Sequence, residues 1–304
     1  MTHFATNSLV LVALTVLHLE DPRPLTINQV MDGLKKSATT IRNLSVTTKY
    51  VRLQKQFLPV EKPVRLQLET KSIVDNSGRA WYECWGEQAG IGQRPNEVTI
   101  SSGRWQGAYD GEVARSLDAG SDGVFHWGWI DKQLVWFTIN PLEFTTHYMG
   151  QPVSEILRTR NATVAGHAEW EGRPVAIVET QPVLGKDGVR RKYRFWVDHA
   201  RNYVVVKRAS LSQFGDEQPL QEFDRIESGA HKEVQAGIWL PIRVKYESVK
   251  VTKDQAPEEL HYSFEGQNSN WRVNSELPAD TFRLVFPDDV VVTDRRTPKP
   301  GPEK

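Results

Sequence analysis

Cysteine is almost missing from this chain: of 304 residues only one is Cys, so no intramolecular disulfide forms and no Cys-rich metal site can be assembled. Cys84, between Trp81 and Trp85, reads as a small apolar core residue. No Cys stands near residue 20, so the protein is not expected to be a lipoprotein itself. Net charge is missing too. Thirty-eight basic and thirty-eight acidic residues cancel, which leaves no field to draw in nucleic acid or an acidic membrane surface.

Long apolar runs are scarce. The run Leu9 to Leu19 is broken only by Thr15 and His18; it is too short to span a bilayer and fits the apolar region of a secretory signal. No Lys or Arg precedes it, but the reading remains a signal peptide over residues 1–20 and an exported, periplasmic protein. Catalytic motifs are also absent. His126, His147, His167, His199, His231 and His261 never fall at the spacing of a His-Glu-x-x-His helix, no Gly-x-Ser-x-Gly elbow occurs, and no Gly-rich phosphate loop follows a strand. The expectation is a non-catalytic protein without metal or cofactor.

What the chain does have is apolar surface in a strand-like pattern. Hydrophobic residues make up 39% of it, with ten Trp, enough for one sizeable core. After Pro22 and Pro24, Thr26 and Gln29 form a capping box that starts a helix. Ile27, Val30, Met31, Leu34, Ala38 and Ile41 then recur at three and four, gathering one apolar stripe. Asn43 ends this helix. From Leu44 to Tyr50 apolar and polar residues alternate, the period of a half-buried strand.

Turn chemistry joins the strands beyond. Asp75 to Gly78, Asp110-Gly111 and Gly185 to Gly188 each separate two strand-like runs, so sequential hairpins build an antiparallel meander. Tyr203 to Leu211, Leu220 to His231, Trp239 to Val251 and Glu259 to Glu265 continue it. In the middle, Asn140-Pro141 and Gln151-Pro152 place Pro at first-turn positions and predict short helices that interrupt the sheet at its centre. Near the end, Phe282, Leu284 and Phe286 predict one face of a strand that Pro287 stops, and Val290 to Val292 closes the fold. Residues 25–296 read as one domain, and the Pro-rich tail 297–304 as disordered.

Several of these phrases resemble the LolA/LolB-like periplasmic lipoprotein-carrier superfamily. They are the Phe282 to Asp294 segment, the Tyr109-Asp110-Gly111 hairpin, the run Phe195 to Tyr203 with its Trp196 and Asp198, and Gly237 to Arg243. Arg79 stands near the place of that family's lid-contacting Arg but lacks the adjacent Pro, so the role is not carried over. The resemblance implies a mainly β fold: a single curved antiparallel sheet forming an unclosed barrel, with the N-terminal helix and the mid-chain helical insertion covering its concave face. It also implies an apolar cavity for the acyl chains of a lipid or lipoprotein. Each methylene buried there gains about 0.8 kcal/mol, so a sixteen-carbon chain supplies on the order of 10 kcal/mol before ordering costs.

The candidate binding residues are aromatic and helical. Trp127 and Trp129 share a strand face, as do Trp81 and Trp85, and their rings suit the mouth of a cavity. Trp136 belongs to the same cluster, and Leu34 and Ile41 supply the helix's side. Arg190, Arg191, Lys192 and Arg194, with Lys207 and Arg208 on a neighbouring strand, read as a solvated basic face. The function expected is a soluble, monomeric envelope carrier that passes acyl chains to an envelope protein partner. The alternative is an interaction or sensor module of the same fold.

Overall fold

Thr26 starts the first element as its sequence requires. In the computed structural model, which describes residues 25–55, 62–91, 97–134, 140–215, 218–252 and 255–296, the Thr26 Oγ1 accepts the Gln29 N–H at 3.3 Å and Gln29 Oε1 accepts the Thr26 N–H at 2.9 Å. Helix α1 (Ile27–Thr40) follows, with Val30, Leu34 and Ala38 buried along one stripe. The expected signal peptide, Trp136 and the expected disordered tail lie outside the described residues.

Strand β1 (Asn43–Gln54) buries Leu44, Val46, Thr48 and Tyr50 on alternate positions. Hairpins then lead through β2 (Val64–Asp75), β3 (Ala80–Ile91), β4 (Val98–Tyr109), β5 (Ala114–Ala119) and β6 (Phe125–Asp131). The mid-chain insertion contains a 3₁₀ turn at Pro141–Phe144, the short pair β7 (His147–Tyr148) and β8 (Gln151–Pro152), and helix α2 (Val153–Thr159). After it come β9 (Thr163–Trp170), β10 (Arg173–Glu179), β11 (Val183–Leu184), β12 (Val189–Asp198), β13 (Val204–Phe214), β14 (Gln221–Gln235), β15 (Ile238–Thr252), β16 (Gln255–Val273) and β17 (Val291–Asp294).

Among the described residues, a 15-stranded sheet runs in the order β17-β6-β5-β4-β3-β2-β1-β16-β15-β14-β13-β12-β10-β9, with β11 paired to β12. It is one large curved sheet that does not close into a barrel. The chain starts at its middle, steps outward by hairpins to β6, and reappears at the opposite edge in β9. It then steps inward until β16 pairs with β1. The insertion therefore does not interrupt the sheet at its centre, as its place in the chain suggested; it joins the two edges across one face. Hairpin growth puts the middle of the chain at the rim, and only the long-range β1–β16 pairing brings its two halves together.

The C-terminal segment departs from its predicted form. Phe282 and Leu284 are buried and Arg283 and Val285 exposed, so the alternation holds, but the segment pairs with no strand. It lies as an extended cover over Ala108 and Leu117, packed there with Trp81, Phe125 and Val290. Phe side chains held by packing alone need no ladder. Pairing resumes after Pro287, where β17 runs parallel to β6, the one parallel neighbour in the sheet among the described residues.

Three apolar clusters fill the helix-bearing face. Val30 and Leu34 of α1 and Ile156 and Leu157 of α2 pack on Val178, Phe195, Val197 and Val205. Phe144 of the insertion covers Tyr50, Leu66, Tyr82, Cys84, Trp105 and Phe264. Ile41 and Leu142 meet Leu44, Val74 and Leu240.

Candidate functional site

The two covering pieces of the helix-bearing face are attached in different ways. The insertion is pinned by polar contacts. Arg208 of β13, nearly fully buried, donates to Glu143 at 2.7 Å and to the His147 carbonyl at 3.2 Å, and its guanidinium lies 4.2 Å from the Tyr148 ring centre. The Tyr148 and Ser210 hydroxyls meet at 2.5 Å, and Ser228 Oγ donates to the Phe144 carbonyl at 3.2 Å. Burial raises the carboxyl pKa of nearby Asp224 and lowers that of the His147 imidazole, as expected where charged forms lose water.

Helix α1 has no such ties along its length. Among the described residues, no side chain from Ile27 to Ala38 hydrogen-bonds or ion-pairs with the sheet or with α2; the contact is apolar. Polar attachment is confined to the C-terminal end, where Asn274 accepts the Arg42 N–H at 2.7 Å and donates to the Thr40 carbonyl at 2.9 Å. Midway along the helix, Gly33 lets the Tyr203 ring lie against the helix backbone: a Cβ there would stand 2.2 Å from that ring. Glycine costs a helix interior up to about 1 kcal/mol, and this close approach is the reason it fits.

The six predicted binding residues divide between the two faces. Leu34 is 1% exposed beneath α1, and Ile41, 3% exposed, sits at the helix end. Register places Trp127 and Trp129 on the helix-bearing face, because Asp118 pairs with both Trp105 and Trp127. They stand at the rim of that face on β6, Trp127 51% exposed and Trp129 half-buried under the Arg295 guanidinium, 4.9 Å from its ring centre. Trp81 and Trp85 point to the opposite face, Trp81 into the cluster under the C-terminal segment and Trp85, partly exposed, into a groove on that face. Trp105, 1% exposed and paired in register with Cys84, is a large aromatic of the covered face that the spacing of Trp residues alone does not single out. Its alternation with Gly103 and Gly107 was the available signal. Burial raises the Cys84 thiol pKa, which keeps it protonated and unreactive.

The basic run on β12 and β13 is largely neutralised. Arg191 pairs with Asp187 at 2.5 Å, Lys192 and Arg194 both pair with Glu179, and Lys207 reaches Glu227 at 3.1 Å. Arg208, expected in solvent, is instead the buried pin of the insertion. Its strand passes directly beneath that insertion, so its side chain exchanges water for Glu143.

The opposite face carries a groove of about 1010 Å³, floored by β14, β15, β16, β1 and β2. One wall is the turn between β9 and β10, which folds over the sheet. Trp170 donates its indole N–H to the Ser228 carbonyl at 3.1 Å, and the Glu171 carboxylate accepts the Ala230 N–H at 2.9 and 3.1 Å and an Arg243 N–H at 3.3 Å. Gly229 permits this descent, since a Cβ at that position would stand 2.7 Å from Glu171 Oε1. Trp85 stands in the groove's other flank, 37% exposed.

No family model matches the chain, and no curated protein matches it. Solved structures of similar shape exist. A domain described as an outer membrane lipoprotein-sorting protein from Vibrio parahaemolyticus is 13% identical, with 84% of this chain and 97% of that one covered, at a TM-score of 0.44. A DUF1329 family protein from Desulfovibrio piger is 11% identical, covering 84% and 96%, also at 0.44. LprF from Mycobacterium bovis is 14% identical, covering 83% and 95%, at 0.31.

Proposed function

We propose that this protein is a soluble, non-catalytic carrier of the cell envelope that takes the acyl chains of a lipid or lipoprotein beneath α1 and passes them, as a monomer, to an envelope partner. The observation that carries this reading is the attachment of α1: apolar along its length, polar only at its C-terminal end. Such a helix is a lid hinged at Asn274. When it lifts, Val30 and Leu34 leave Phe195, Val178 and Leu157, and an aliphatic chain takes their place at no cost in hydrogen bonds. The exchange trades one apolar contact for another, so it runs in either direction and suits pick-up and delivery. Trp127 and Trp129, at the rim of the same face, are assigned to guiding the chain at the entrance.

A lid that is mostly closed scales the apparent affinity down to the fraction of molecules that are open. Gly33→Ala forces a methyl into the Tyr203 ring and lifts the helix. Titration with the fluorescent fatty acid cis-parinaric acid is expected to show uptake by the wild type and several-fold tighter uptake by Gly33→Ala, with circular dichroism unchanged. Equal affinity in the two proteins, or no uptake by either, sinks the carrier reading.

A further inference from the structure

We infer that the groove on the face opposite the helices is a binding site for a neutral oligosaccharide. It is separate from the acyl-chain site, since the sheet itself lies between them.

The charge pattern excludes anionic and aliphatic ligands. The groove is lined by Lys49, Arg65, Arg243 and Lys245 and by Glu69, Glu171, Glu227 and Glu265, cations and carboxylates in equal number. Most of them are already paired: Lys49 with Glu69 at 3.4 Å, Lys245 with Glu265 at 3.7 Å and Arg243 with Glu171 at 3.3 Å, while Glu227 is held by Lys207 beside the groove at 3.1 Å; among the described residues Arg65 is the lining cation without an ion pair. A phosphate, a nucleic acid or an anionic lipid headgroup meets one spare cation, Arg65, and no net positive field here. An aliphatic chain fares no better, because it would strip water from these charges without replacing it.

An uncharged, polyhydroxylated ligand meets none of these penalties. Each sugar hydroxyl both donates and accepts, so a hydroxyl pair can span one carboxylate and its neighbouring ammonium or guanidinium without breaking the charge balance. Cross-strand neighbours on one face have Cβ atoms about 4.5–5.5 Å apart, which presents acceptors and donors in a repeating row along the floor. Gln67 and Gln267 add amides that do both. The exposed Trp85 indole supplies a flat apolar surface on which the C–H face of a pyranose ring stacks; it stands beside its register partner Glu69. At about 1010 Å³ the groove lies at the top of the ~300–1,000 Å³ range of small-ligand clefts, room for several rings. The wall is fixed in place by the Trp170 and Glu171 hydrogen bonds to β14, so the site is formed before a ligand arrives.

The test is an array of neutral glycans spanning α- and β-linked glucans, mannans, galactans, xylans and chito-oligosaccharides, with heparin and a mixed-charge peptide as controls, followed by calorimetry on any hit. A saturable neutral glycan is expected. Trp85→Ala should weaken it at least about tenfold, Gln267→Ala should weaken it too, and Trp127→Ala, on the other face, should leave it unchanged. Silence across the array, a glycan bound equally well by Trp85→Ala, or binding of heparin or the peptide in its place overturns the assignment. Uptake of cis-parinaric acid by Trp85→Ala remains as in the wild type, which keeps this outcome distinct from that of the carrier reading.

Discussion

His231 illustrates how much a single side chain depends on what lies around it. It is buried on β14 with neither ring nitrogen hydrogen-bonded to protein. Burial, with the Arg201 guanidinium as the next cause, pulls its pKa down to about 4, against the opposing pull of Glu171 and Asp198. The folded protein therefore holds this imidazole neutral where the unfolded chain, at the ordinary value near 6.5, is already taking up a proton. Stability from this site is complete above about pH 6.5 and is lost progressively as pH falls toward 4, on the order of 3 kcal/mol in all. Urea denaturation across that range is expected to give a falling wild-type stability and a flatter profile for His231→Leu. Identical slopes would mean that the imidazole titrates normally. Nothing in the sequence marks His231 apart from His126 or His167; its setting is made by strands and turns that meet only in the folded chain.

Elements were legible where the signal was local. The Thr26 capping box, the apolar stripe of α1, the alternation on β1 and the Asp-Gly and Asn-Ser-Gly turns all appear where their residues placed them, because each is decided within a few residues. Phe282 to Phe286 was legible only in part. Its period of two reports which side chains are buried, whereas a strand also needs a neighbour for its backbone, and that neighbour is a property of the whole sheet. The manner in which α1 is held was equally hidden, since the stripe says that the helix is covered and not what ties it down. Asn274, in the left-handed region at φ 54°, supplies the tie from a loop far along the chain. Asn274→Ala removes both hydrogen bonds to the helix end. Each is worth about 0.5–1.5 kcal/mol net, so hydrogen exchange at α1 amides is expected to accelerate roughly tenfold or more while β12 and β13 stay protected. Uniform acceleration over the whole chain would show that α1 does not open separately.

At the scale of the molecule, the family resemblance implied a curved open sheet with helices on one face, and the strand pattern an antiparallel meander, but neither held the path through it. Hairpins predict only that successive strands are neighbours. Whether the insertion lies at the centre or joins the rims depends on one pairing, β1 with β16, between segments about as far apart as the described chain allows. The same limit explains the binding faces: the sequence placed Trp127 with Trp129 and Trp81 with Trp85, but the relation between the pairs required the register of β3 through β6. The decisive pairing is marked by a buried polar link. Thr48 Oγ1 donates to Asn268 Oδ1 at 2.7 Å, and Asn268 Nδ2 donates to the Pro241 carbonyl at 3.0 Å, so one amide joins β1, β16 and β15. Asn268 is 3% exposed, and removing it leaves the buried Thr48 hydroxyl without its acceptor, while the Pro241 carbonyl loses one of two donors and keeps the Trp271 indole N–H at 3.2 Å. Such losses cost about 1–3 kcal/mol. Asn268→Ala is therefore expected to lower stability by about 2 kcal/mol, whereas Gln267→Ala, at the exposed position beside it, should change it by less than about 0.5 kcal/mol. Equal urea midpoints for the two variants would place the closure of the sheet in apolar packing alone.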